Sequence, residues 1–348
     1  LGPFSSQVIV DSSGNLSGSA TSTGSFGTIQ MPGISIGNGT NTFFGKSTGE
    51  HIVGNYISAV GFEAGRYATG SSNSFFGYQA GRGGTTSAPF SSGQRNTAIG
   101  YSAMGAFTTG NNNVVIGYEA GDDMTSAGGS VLIGYEAGSK LTTSGEGVFI
   151  GEYAGQNSTN GTNVLIGARA GRGNVANPIG LYCIAIGYMA MQTPVGNSNI
   201  AIGYQAMRDT DAGSNSDSSQ NNIAIGYQSM GGTWADAQSN YNVAIGDYTM
   251  DSALDGASYN TVIGNNAGSA LTTGDQNVLL GAGAGFSLTT GQYNTIVGVD
   301  AANTHTDVNN IVAIGWQAGR YVEADGTIAI GFEAGKTITS NPIAIVPS

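Results

Sequence analysis

Val114-Val115-Ile116-Gly117-Tyr118-Glu119-Ala120-Gly121 returns 17 residues later as Val131-Leu132-Ile133-Gly134-Tyr135-Glu136-Ala137-Gly138. A chain written in such copies has few folds open to it, because each unit must bury its apolar residues against the next copy of itself. Taking the Gly that follows the apolar cluster as anchor, the copies fall at Gly45, Gly61, Gly77, Gly100, Gly117, Gly134, Gly151, Gly167, Gly187, Gly203, Gly226, Gly246, Gly264, Gly281, Gly298, Gly315 and Gly331. The spacing is mostly 16 or 17 residues and stretches to 18, 20 or 23. Ile34-Ser35-Ile36-Gly37 and Ile343-Ala344-Ile345 read as imperfect end copies.

Each position of the repeat has a physical reading. The residue before the anchor is Ile in 12 of the 17 copies. Three residues before the Gly-flanking apolar cluster ends stands an Asn in many copies, as at Asn96, Asn113, Asn163, Asn199, Asn222, Asn242, Asn260, Asn277 and Asn294. The three residues between that Asn and the Gly predict a short strand. The Gly permits a turn that a β-carbon would obstruct. Three residues beyond it comes Ala in 14 copies, and then almost always Gly or Met. Coils stacked about 4.8 Å apart pile equivalent residues into ladders. The expected fold is therefore all-β, a parallel β-solenoid or β-roll of about 17 coils with a 16–17-residue period. Asn on Asn should pair amides along the stack.

The dry interior is expected to be built from Ile99, Ile116, Ile133, Ile150, Ile166, Ile186, Ile202, Ile225, Ile245, Ile263, Ile314 and Ile330. In a strand the middle residue faces away from its two neighbours, yet here it too is apolar, as Val115, Leu132, Phe149 or Ala201. A strand apolar on both faces is covered on both. The coil is too short for two interiors, so the second face is expected to meet another chain. A homotrimer about a common axis is the expected partner arrangement, with end-to-end joining into a filament as a further possibility.

Residues 1–33 read as a low-complexity attachment segment and 34–348 as the repeat domain, with insertions near 82–95, 172–182, 208–220, 231–241 and 251–259. Only 9% of residues are charged, and the net charge of -12 argues against nucleic acid or anionic membrane as partner. No apolar run approaches the roughly 20 residues of a membrane-spanning helix.

Chemistry-bearing residues are sparse. Cys183 is the only cysteine and reads as a buried structural thiol, with an interchain bridge or reactive thiol as the sharper option. His51 and His305 stand alone. No cofactor is expected. Asp209, Asp211 and Asp217 could gather oxygen ligands for Ca²⁺. Asp122 and Asp123, and then the same Asp209, Asp211 and Asp217, are the acidic residues to weigh for sugar hydrolysis, against the plainer reading of solvated loop charges. Tyr78, Tyr101, Tyr118, Tyr135, Tyr188, Tyr204 and Tyr227 follow their anchors directly, joined by Phe62, Trp316 and Phe332. They predict an aromatic ladder that either shields the turn or offers a stripe to a glycan. The Thr pairs, such as Thr108-Thr109, are adjacent and would point to opposite faces if extended, which argues against a flat Thr array.

Asn199-Ile200-Ala201-Ile202-Gly203-Tyr204-Gln205-Ala206 resembles the head repeats of trimeric autotransporter adhesins. That resemblance implies a left-handed parallel β-roll with three chains side by side. The period here is longer, and neither a heptad stalk nor a membrane-anchor barrel is recognisable. Gly14-Asn15-Leu16-Ser17-Gly18-Ser19-Ala20-Thr21-Ser22-Thr23-Gly24-Ser25-Phe26-Gly27, together with Asn96-Thr97-Ala98-Ile99-Gly100-Tyr101, is similar to segments of marine-phage virion proteins, including tail-fibre-like ones. The resulting expectation is a non-enzymatic structural protein of an extracellular fibre, on a virion or a cell surface. Recognition of a host-surface glycan or receptor is a possible added role. A bacterial adhesin and a polysaccharide-degrading tailspike are the alternatives.

Overall fold

The computed structural model describes residues 40–84, 88, 90–174, 178–193, 196–209, 218–338 and 343–345, and the backbone strands at 9–10, 16–17, 30–31 and 34–35. The chain is an all-β parallel solenoid, with no α-helix among the described residues. Eighteen strands, almost all of three residues between an Asn-type position and the anchor Gly, stack into one ladder from Thr42–Phe44 to Ile343–Ile345. Pairing is parallel throughout and residue-for-residue, as in Val131↔Val148, Leu132↔Phe149 and Ile133↔Ile150. The insertions leave the register intact: Ser74 pairs with Thr97 and Ile200 with Ile223. Ile34–Ser35, expected as an end copy, instead pairs antiparallel with Gln30–Met31.

The anchor Gly does what its position demands. Gly117 has φ +141°, and a Cβ there would lie 2.1 Å from the carbonyl oxygen of Gly134 in the next coil. Only a residue without a side chain lets successive turns close to strand spacing.

The orientation of the strand corrects the expected core. In all seventeen ladder strands from Thr42–Phe44 to Ile328–Ile330 the middle residue is buried and both flanks are not. Ile99, Ile116, Ile133, Ile150, Ile166, Ile186, Ile202, Ile225, Ile245, Ile263, Ile314 and Ile330 therefore line the outside of the coil, and Ile99 and Ile263 are 38% and 39% exposed. The strand alternates as expected, but its inward face belongs to the variable middle residue.

That residue varies because another position compensates for it. Where the middle residue is Ala98, Ala185, Ala201, Ala224 or Ala244, the residue six positions on is Met104, Met191, Met207, Met230 or Met250, each fully buried. Where it is Phe75, Val115, Leu132, Phe149, Leu165, Val262 or Leu279, the residue six positions on is Gly. These coils thus fill a similar cross-section by one of two routes, as close packing requires, whereas the coils of Ala59 with Gly65, Ala313 with Gly319 and Ala329 with Gly335 are small at both positions. Ala at the third position after the anchor, and corner residues such as Phe107, Met124, Leu141, Trp234, Leu271 and Leu288, complete the interior.

The Asn column is buried beside this core. Asn113 Nδ2 donates to Asn96 Oδ1 at 3.0 Å and to the Ala127 carbonyl at 2.9 Å, while its backbone N–H donates to the same Asn96 Oδ1 at 3.0 Å. Asn222, Asn242, Asn260 and Asn277 repeat the arrangement. Each buried amide is thereby satisfied by the coils on either side. Cys183 occupies one position of this column, its N–H on Asn163 Oδ1 at 2.8 Å.

Candidate functional site

With the interior closed by stacking, chemistry must lie on the surface. The first surface feature is the outward side of the ladder. Its strand flanks are mainly Val and Ile, so consecutive coils present Val114 with Ile116, Val131 with Ile133, Val148 with Ile150 and Val164 with Ile166 as one continuous apolar strip. In the isolated chain this strip is only partly covered.

The aromatic column lies next to it. Phe62, Tyr78, Tyr101, Tyr118 and Tyr135 stack face to face with centroids 5.1, 5.0, 4.9 and 5.1 Å apart. Tyr188, Tyr204 and Tyr227 form a second run at 5.4 and 5.0 Å, and Trp316 stacks on Phe332 at 4.8 Å. The spacing follows from the coil rise. Within the runs the ring faces are occupied by neighbouring rings, which leaves edges and hydroxyls outward rather than the open faces a sugar stacks on. The runs are separated where Glu152 and Ala168 replace the aromatic residue. Tyr135 has its hydroxyl pushed up to about 12, chiefly by hydrogen bonding to Glu136.

The carboxylates are dispersed. Asp122 is half-buried and pushed up to about 6, first by burial and then by the Asp123 and Glu119 charges. Asp123 is paired with Lys140 Nζ at 2.8 Å. Asp209 is paired with Arg208, whereas Asp211 and Asp217 lie outside the described residues. Among the described residues no three His, Cys, Asp or Glu side chains gather as a metal site. Cys183 is buried, and burial pushes its thiol up to about 11, which suits an inert structural thiol.

The two histidines differ. His51 stacks against Phe90 at 4.5 Å and Tyr67 at 5.3 Å beside an open groove of about 710 Å³ that includes Glu50, Val53, Thr69 and Thr108. His305 is buried at a corner position where the preceding coils carry Leu271 and Leu288, and its Nε2 lies 3.0 Å from the Gly319 carbonyl.

A further cavity lies outside the features expected from the repeat. A notch of about 330 Å³ is lined by Asn265, Asn266, Ala282, Gly283, Phe286, Asp300 and Asn303. Its signal was present in the repeat. Gly283 stands two residues after its anchor, where the other sixteen coils carry a side chain, and Phe286 stands five after it, where no other coil has an aromatic residue.

No protein-family model matches the chain, and no curated protein matches it. Among the described residues no helix is long and apolar enough to cross a membrane.

Proposed function

We propose that this chain is a non-enzymatic structural rod of an extracellular fibre, working as a homotrimer with its outward Val and Ile strips packed about a common axis. The observation that carries the reading is the uniformity of that strip. The interior residue varies from Ala to Phe, but the outward residue before the anchor is Ile in twelve of seventeen coils. Uniform β-branched residues on an exposed flat strip match what a self-complementary contact needs, because identical rises keep two copies in phase along their whole length. Such a long apolar surface is more than a soluble monomer usually leaves open.

A phage tail fibre or other virion appendage is the setting we favour, with a bacterial surface adhesin as the cellular counterpart. In either, a stack of identical ladders about 80 Å long supplies stiffness. A tailspike that cleaves polysaccharide would need two facing carboxylates, whereas Asp123 is engaged by Lys140 and Asp209 by Arg208.

Light scattering on the native protein tests the reading. The expected mass is three chains, and Ile133→Asp with Ile202→Asp should yield folded monomers. A wild-type monomer overturns the oligomeric rod, and electron micrographs of its source without rods or fibres would overturn the structural role.

A further inference from the structure

We propose that the notch in the coil of Gly283 and Phe286 is a saccharide-binding subsite, sized for one sugar ring and reading its hydroxyls. The inference goes beyond the rod reading and does not depend on the oligomeric state.

The notch arises from two departures from the repeat in one coil. Two residues after the anchor the backbone is left-handed in every coil, and φ is +55° at Asn266, +65° at Gly283 and +53° at Asp300. That conformation favours Gly, yet elsewhere the chain places Glu, Gln, Asn, Ser, Met, Tyr, Arg or Asp there. At Gly283 it does not, and the preceding Ala282 is small as well. The missing side chains leave a floor of Ala282 and Gly283, with Asn265 and Asn266 on one side and Asp300 and Asn303 on the other. The second departure supplies a platform. Five residues after the anchor other coils place Arg66, Arg82, Arg172, Arg208 or Arg320, whereas this one places Phe286. Phe286 is 42% exposed and, among the described residues, stacks on no other ring, unlike the Tyr runs.

The polar groups are arranged to be read. Asn303 Nδ2 donates to Asp300 Oδ1 at 3.2 Å, and Asn266 Nδ2 donates to Asn265 Oδ1 at 2.7 Å. These contacts orient the four side chains and leave Asp300 Oδ2, the side-chain Oδ1 atoms of Asn266 and Asn303 and the Asn265 Nδ2 without a hydrogen-bond partner among the described residues. Asp300 Oδ1 hangs over the floor, 2.7 Å from where a Gly283 Cβ would be. A carboxylate beside amides presents acceptors and donors a few ångströms apart, the pattern that neighbouring hydroxyls of a pyranose match. A part-exposed aromatic ring beside them, with no other ring stacked on it, suits the C–H face of the same sugar. The cavity, about 330 Å³, stands at the lower end of the roughly 300–1,000 Å³ of small-ligand sites. An amino acid or a nucleotide fits less well: no cation lines the notch to meet a carboxylate or phosphate.

Saturation-transfer NMR on the full chain, with the methyl glycosides of glucose, galactose and N-acetylglucosamine as probes, tests the proposal. Saturation is expected to reach the ring C–H protons of at least one glycoside. Gly283→Gln and Phe286→Arg each restore a residue that other coils carry at that position, so both should fold and keep the native scattering mass. Each is expected to weaken binding roughly tenfold or more, whereas Tyr101→Ser, in the stacked run, should leave binding unchanged. No transfer to any of the three glycosides, or transfer that survives both notch variants, overturns the proposal.

Discussion

A Cβ placed on Gly171 would lie 2.4 Å from Cδ2 of Leu165. The two residues are six apart in one coil, and together they fill the space that Ala185 and Met191 fill in the next. Interior volume is thus balanced within these coils rather than residue by residue. The coils can alternate between the two solutions because Met191, at φ +47°, tolerates the same left-handed backbone that Gly171 adopts at +53°.

This pairing makes a double-mutant prediction. Leu165→Ala should cost about 2–5 kcal/mol by leaving a cavity. Gly171→Met alone should cost at least about 1–3 kcal/mol by overpacking against Leu165. The double variant converts the coil to the Ala-Met form and should recover much of the loss, with a coupling of about 1–3 kcal/mol. Denaturant unfolding of the four proteins measures it, and strict additivity would refute the compensation.

The amide column predicts a steep local penalty. Asn242 Nδ2 donates to Asn222 Oδ1 at 3.1 Å and to the Ala257 carbonyl at 2.8 Å, and Asn242 Oδ1 accepts both the N–H and the Nδ2–H of Asn260 at 3.0 Å. Asn242→Ala leaves the buried Asn260 N–H and the Ala257 carbonyl without these partners, while Asn222 Oδ1 keeps the residue-242 N–H and Asn260 Nδ2 keeps the Gly274 carbonyl, and it should destabilise by about 2–4 kcal/mol. Hydrogen exchange should show faster exchange of the Asn260 amide, in the coil that follows, than at coils far along the stack.

Asp122 predicts a stability that falls as pH rises. Its folded pKa of about 6 lies above the ordinary 3.8, so the folded state holds its proton more tightly than the unfolded chain does. The contribution is complete below about 3.8 and is lost as pH rises through about 6. After allowance for solvent screening of a half-exposed group, the effect is about 1 kcal/mol. Asp122→Asn should therefore be more stable than wild type at neutral pH and indistinguishable in acid. Denaturant midpoints across that range decide the matter.

His305 predicts the opposite trend at the other end of the rod. Burial holds its pKa below the ordinary value of 6.5, against the opposing pull of the Gly319 and Arg320 backbone and of Glu323 and Asp307. Its contribution to stability is present above 6.5 and is lost as pH falls through the folded pKa. The His305→Leu variant extends the Leu271 and Leu288 column and should abolish the acid sensitivity. Hydrogen exchange at Val308 and Val322 in mild acid and at neutral pH would show it, and an equal acid response in both proteins would contradict the assignment.

Residue order alone dictates the parallel solenoid, the three-residue strands, their register across insertions, the amide column and the obligatory anchor Gly. Each of these depends only on what a copy meets when it stacks on its neighbour, and the neighbour is in the sequence. Which strand face turns inward was decided by the tertiary structure. Val131-Leu132-Ile133 alternates equally well in either sense, and the choice depends on the direction in which the coil bends back and on whether Leu132 can share its space with Gly138. For the same reason the notch at Gly283 could be seen in the repeat only as two irregularities. It becomes a cavity because closure of the coil sets Gly283 and Phe286 on one surface, between the polar side chains of the coils before and after.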